Sequence, residues 1–223
     1  MKPRRLARWL SILVIMSATV LPLADRGHPV AQEEANVHFR WAFGALVGGE
    51  NPPRPIAITQ DTTLKTGDQL KMLVELKKPG FVYVIHHGPQ GEVQWLFPAS
   101  RPPFETDYQA AKRYDIPPGD GWFKLDDQVG RETFYVLASV ERLTDLETLL
   151  STYASAPRSE QPQIATSIVA EIREVRKRYR QFATLAERPV PIAGNVRGPD
   201  IGDLVVEITA QNFYSKTFTI EHH

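Results

Sequence analysis

The chain has 223 residues, 26 Lys+Arg against 26 Asp+Glu, and no Cys, with 42% apolar and 23% charged residues. The missing Cys excludes a disulfide scaffold, a Cys-ligated zinc or iron–sulfur site and a thiol nucleophile. The apolar share is that of a globular chain rather than a disordered one, and the balanced charge carries no nucleic-acid signature.

Lys2, Arg4, Arg5 and Arg8 precede an apolar run from Trp9 to Ala24. At about 16 residues the run falls short of the roughly 20 needed to span a bilayer, so it reads as an export signal. Cleavage is expected after Ala24 or Ala31. The alternative is an uncleaved N-terminal anchor, which would be the only contact with a membrane. Cleavage after Ala31 removes Lys2, Arg4, Arg5, Arg8 and Arg26 but only one acid, Asp25, which leaves a mildly acidic domain. The expected location is the periplasm or the exterior. A chain of this length buries enough surface to do without disulfides there.

Val37 to Leu46 alternates, with Val37, Phe39, Trp41 and Phe43 on one side, which predicts a strand ended by Gly48-Gly49 and the prolines at 52, 53 and 55. Thr66-Gly67-Asp68 predicts a turn. Leu70, Met72, Val74 and Leu76 then alternate through a second strand. Phe81 to Ile85 is continuously β-prone, as in a strand covered on both faces. Gly88-Pro89-Gln90-Gly91 predicts a hairpin, and the return strand runs from Glu92 to Phe97 with Val93, Trp95 and Phe97 on one side. Asp115 to Gly121 reads as a loop, Trp122 to Leu125 as a short strand and Glu132 to Val140 as a clear one.

The period then changes. Thr144-Asp145-Leu146-Glu147 has the form of a capping box, with Leu146, Leu149, Leu150 and Tyr153 at helical spacing. From Pro162, the set Ile164, Ile168, Ile172, Val175, Tyr179 and Phe182 predicts a helix of about 24 residues with one apolar stripe, stopped by Pro189 and Pro191. Leu204 to Ile208 and Lys216 to Ile220 close the chain as strands. The predicted fold is mainly β (α+β): an Ig-like or Greek-key β-sandwich with a two-helix insertion before the last strands. The expected organisation is a signal peptide or anchor over residues 1–31 and a single domain over 35–223, with the helical insertion at about 143–187. Because each helix has one apolar stripe, the pair is expected to lie against a sheet rather than form its own lobe.

One order of elements is familiar. Gly67-Asp68 precedes a strand, and Gly80-Phe81-Val82-Tyr83-Val84-Ile85 follows a Pro-Gly turn. A hairpin then leads to Leu96-Phe97-Pro98, an Ile-Pro-Pro loop at 116–118, and Gly130-x-Glu132 running into Phe134 to Ser139. This order resembles the bacterial domain-of-unknown-function 4384 family, exported β-rich domains sometimes fused to caspase-like peptidase or protein-kinase modules. The resemblance implies a binding or accessory module and brings no catalytic residues with it.

The residues themselves offer no Gly-x-Ser-x-Gly elbow, zinc-protease helix, Walker loop or dinucleotide fingerprint. No catalytic residue, metal ligand set or cofactor is therefore assigned. His86 and His87 are adjacent on a strand and so point to opposite faces, against a shared metal. They remain candidates for ligand contact, as does Trp122 after its Gly-rich loop. His222 and His223 read as a frayed end. Arg173, Arg176, Lys177 and Arg180 make a basic stretch of the long helix and are the candidates for contact with a partner or an anionic surface. The same cations would also be at home as a solvated helix face. The expected function is an exported, non-enzymatic module that engages a protein or cell-envelope component. The alternative is an envelope-polymer hydrolase with its site in the 100–121 loop region, whose acids can lie far apart in the chain.

Overall fold

The computed structural model describes residues 36–48, 54–99, 108–180, 185–189 and 201–223. The leader, Phe182, Pro191 and the 100–107 part of the long loop lie outside them. Fourteen elements matter here. They are β1 (Asn36–Val47), β2 (Arg54–Ala57), β3 (Thr62–Leu64), β4 (Gln69–Leu76), β5 (Phe81–His87), β6 (Val93–Phe97), β7 (Arg113–Ile116), β8 (Phe123–Lys124), β9 (Gly130–Ser139), α1 (Thr144–Ser155), α2 (Gln161–Tyr179), β10 (Leu185–Pro189), β11 (Val206–Gln211) and β12 (Phe213–His222).

The fold is mainly β, with two helices. One sheet has the order β10-β11-β1-β4-β7, with β2 also on β1 and β8 also on β4; the other runs β3-β12-β9-β5-β6. Only the short β3–β12 pair is parallel. The alternation of β1 and β4 sends Phe39, Trp41, Phe43, Leu70, Met72 and Val74 between the sheets, where they meet Val82, Val84, Phe134, Val136 and Phe218. The ring of Phe43 stands edge-on to Phe134 at 5.0 Å, and Trp41 lies 5.1 Å from Phe218. Offset and edge-on contacts of this kind suit aromatic quadrupoles, so the alternating aromatics are core.

The outer face of the second sheet is covered by the helices. Tyr83, Ile85, Trp95 and Leu137 pack there against Leu146, Leu150, Ile168, Ile172 and Val175. This is why β5 is apolar without a break from Phe81 to Ile85: its two faces serve two different cores. The helix stripe read from the sequence is the buried one over α2, which runs to Tyr179.

Several local expectations are corrected. The capping box does not form, because α1 begins at Thr144 with Leu143 in the cap position and no side-chain cap. Glu147 is drawn away, accepting a hydrogen bond from Tyr83 Oη at 2.7 Å and paired with Arg142. A charge-assisted contact at the helix–sheet junction outcompetes a backbone cap. Phe97 is not on the side of Val93 and Trp95. Pairing steps from Val84–Phe97 to Ile85–Trp95, so Leu96 is an extra residue in β6. The bulge reverses the alternation and turns Phe97 into the inter-sheet core. Asp115 and Ile116 belong to strand β7 instead of a loop, because Met72 and Leu73 of β4 supply their pairing partners. The Pro-rich stretch after β1 returns as β2, pairing with the end of β1, and β10 follows the helices where prolines alone had suggested a stop.

Gly44 shows how close the packing is on the outer face of the first sheet. A Cβ there would stand 2.5 Å from Ile201 Cγ2, so only glycine lets the 3-10 turn Ile201–Leu204 lie against β1.

Candidate functional site: a polar cleft over a buried His-Glu-His array

A recess of about 600 Å³ opens where the β5–β6 hairpin, the 123–128 segment and the start of α2 converge. Its wall carries four amides, Gln90, Gln94, Gln128 and Gln161, with Arg158 and Asp126 at the sides. Each amide both donates and accepts, so the wall is suited to a ligand rich in amides or hydroxyls. Phe123 and Phe134 add apolar surface.

Beneath lies a charged array. Glu132 on β9 is 6% exposed. Its Oε2 is 2.5 Å from His86 Nε2, and its Oε1 is 3.7 Å from Nδ1 of His222. The His86 ring stacks on Phe134 with centroids 4.7 Å apart, which holds the imidazole edge toward the carboxylate. His222 Nε2 is 3.1 Å from Thr66 Oγ1, and that hydroxyl is 3.0 Å from the Asp126 carbonyl oxygen. A carbonyl only accepts, so the Thr66 proton goes to Asp126 and His222 donates its Nε2–H to Thr66. Nδ1 of His222 then lacks a hydrogen-bond partner and faces Glu132 across the longer gap. Of this array, His86 and Glu132 reach the recess.

Strand geometry accounts for His86 and His87. The two point to opposite faces, as alternation requires, and only His86 enters the cleft. Burial holds the His87 imidazole below its usual pKa, with Glu92 opposing the shift. Among the described residues no group of three or more His, Cys, Asp or Glu is placed to hold a metal ion. His222 had read as frayed, but it ends β12 and its side chain is fully buried. Its neighbour His223 exchanges backbone hydrogen bonds with Leu64 and Thr66. A terminal His-His looks disposable in a sequence; only the pairing of β12 with β3 shows why it is held.

Trp122 is not in this cleft. It packs on the outer face of the other sheet beside Ala42, Leu73 and Ile201, with Lys71 Nζ 5.7 Å from its ring centre. That ammonium also donates to the Gly119 carbonyl at 2.6 Å, so both residues fasten the 119–122 loop.

The four helix cations separate. Arg173, Lys177 and Arg180 are exposed. Lys177 lies 3.7 Å from Glu174, an exposed pair of the kind that contributes little. Arg176 instead turns toward the sheet. Its Nε donates to Ser215 Oγ at 2.5 Å, a terminal nitrogen donates to Thr217 Oγ1, and the guanidinium lies 5.8 Å from the Tyr135 ring centre. Of the long loop assigned to a hydrolase site, the described part from residue 108 contributes nothing to the cleft wall.

Residues 63–142 match the family described as Domain of unknown function (DUF4384). The matched stretch runs from β3 through β9, so it contains His86, Gln94 and Glu132 but neither helix nor His222. No curated protein and no solved structure matches the chain.

Proposed function

We propose, for a chain whose residues 63–142 match the DUF4384 family, that the protein is an exported, non-enzymatic accessory module that binds a protein or cell-envelope component through the polar cleft. The observation that carries this reading is the wall of four glutamine amides around an open recess of about 600 Å³. Amide side chains recognise peptide bonds and sugar hydroxyls without needing a fixed charge, and both abound in envelope polymers. The cleft's buried carboxylate is hydrogen-bonded to His86, which ties the floor of the recess together. Export is supported by the basic segment and apolar run at the N-terminus. Among the described residues no helix is long and apolar enough to cross a membrane.

Photo-crosslinking in the producing cell tests the reading. A photoreactive residue at Gln94 should capture a defined envelope component, and one at the exposed Asp145 of α1 should not. Arg158→Glu and Gln161→Ala should reduce capture by about tenfold, the loss of roughly 1.4 kcal/mol of binding. Equal capture from both positions, or an envelope polymer cleaved by the purified chain, would refute it. N-terminal sequencing of the protein from fractionated cells decides between cleaved signal and anchor.

A further inference from the structure

We propose that a second recess, between the last turn of α2 and the β11–β12 corner, binds an oxyanion, a carboxylate or phosphate, borne on an apolar body. The recess has a volume of about 260 Å³ and is lined by Arg176, Tyr179, Arg180, Phe213, Tyr214 and Ser215. It shares no residue with the polar cleft and stands or falls independently of it.

The charge balance of Arg176 points to the ligand. Its guanidinium is half-buried, yet the two acceptors it finds are neutral hydroxyls, Ser215 and Thr217. No acid lies within ion-pair distance of it among the described residues. A guanidinium has five N–H donors in a planar fork, so three remain for an incoming group. A cation withdrawn from water without a counter-charge is costly, and burial accordingly pulls this guanidinium's pKa down. The face of Tyr135 and the C-terminal end of the helix dipole offset part of that cost. A bound oxyanion would offset the rest, and it matches the fork in shape.

The surroundings suit such a group. Arg180 lies one turn beyond Arg176 and is exposed at the rim, a second cation over the same opening. Ser215 Oγ accepts the Nε–H of Arg176, so its own proton is left to donate to an anion. Glu187 on β10 does not compete, since it accepts from Tyr214 Oη at 3.0 Å and Lys216 Nζ at 3.3 Å. The apolar side comes from Tyr179 and Phe213, stacked with an interplanar angle of 17° and centroids 4.9 Å apart. Two arginines and a serine at one end and a flat aromatic wall at the other describe an amphiphile with one acidic group.

Calorimetry and thermal unfolding of the full chain provide the test, with hexyl phosphate, hexanoate, hexanol and inorganic phosphate as probes. Hexyl phosphate or hexanoate should bind and raise Tm, while hexanol should do neither. Arg176→Gln should weaken binding by at least tenfold. Should that variant fail to fold, Arg180→Glu supplies the test: its side chain is exposed, so the free protein should keep its Tm while affinity falls. Binding of phosphatidylglycerol vesicles that hexyl phosphate displaces would assign the oxyanion to a lipid headgroup. Binding of the small probes without the vesicles would assign it to a soluble ligand. The proposal is overturned if neither acid binds, if hexanol binds as well as they do, or if the arginine variants keep full affinity.

Discussion

Glu207 accepts hydrogen bonds from His38 Nε2 at 3.0 Å and Arg40 Nε at 2.7 Å, and these two partners, His38 foremost, hold its carboxyl below the usual 4.5. A carboxyl whose folded pKa is depressed binds protons more readily when unfolded. Its stabilising contribution is therefore complete above about pH 4.5 and is lost as pH falls through the lower folded value. Glu207→Gln should flatten the acid limb of Tm against pH and leave Tm near pH 7 lower. An acid limb as steep as that of the parent chain would contradict this assignment. Glu207 on β11 lies 169 and 167 positions along the chain from His38 and Arg40 on β1, and nothing in the spacing announces the contact. The same holds for Glu132 between His86 and His222. Each is visible in the sequence, but what makes them an array is a sheet that pairs β9 with both β5 and β12.

At the level of elements, the end of the chain is the clearest test. β12 pairs along its whole length with β9, and its last three residues also pair with β3. Thr66 N–H donates to the His223 carbonyl at 2.9 Å, and His223 N–H donates to Leu64 at 3.1 Å. Deleting Glu221, His222 and His223 removes these bonds and the buried imidazole. The two backbone bonds alone should be worth about 1–3 kcal/mol. Chemical denaturation of the truncated chain measures the loss, and an unchanged midpoint would mean the tail frays after all. The long strands β1 and β4 were legible to within a residue or so, because the large side chains that face the inter-sheet core recur at every second residue. β6 was legible as a strand but not in its facing, since a bulge depends on register with a neighbour. β2, β7 and β10 were unreadable. They are short strands that owe their conformation to partners across the sheet.

For the molecule as a whole, α1 and α2 are the outer layer of the second sheet. Ile168 and Leu146 are fully buried against Tyr83, Ile85 and Trp95. Tyr83 fastens this layer through its hydroxyl, which donates to Glu147 and accepts from the Leu143 N–H at 3.1 Å. Burial and the adjoining carboxylate keep that phenol far above its ordinary pKa, so it stays a neutral donor. Ile168→Ala should cost about 2–5 kcal/mol. Because the helices share a core with the strands, helical circular dichroism and tryptophan fluorescence should report one coincident transition in that variant. Two separate transitions would instead mark the helices as an independent lobe.

From the sequence alone came the β-rich class, the positions of the long strands and helices, the buried stripe of α2 and the family likeness over its middle. All of these are local patterns, set by which side of a strand or helix must leave water. The structure alone decided which histidine joins the cleft and that the terminal histidine is core. It also showed that Trp122 lies on the opposite sheet and that Arg176 turns away from its helical neighbours toward Ser215. Those outcomes depend on which strands become neighbours. That choice is made by the summed burial of residues far apart in the chain, so no single stretch of sequence records it.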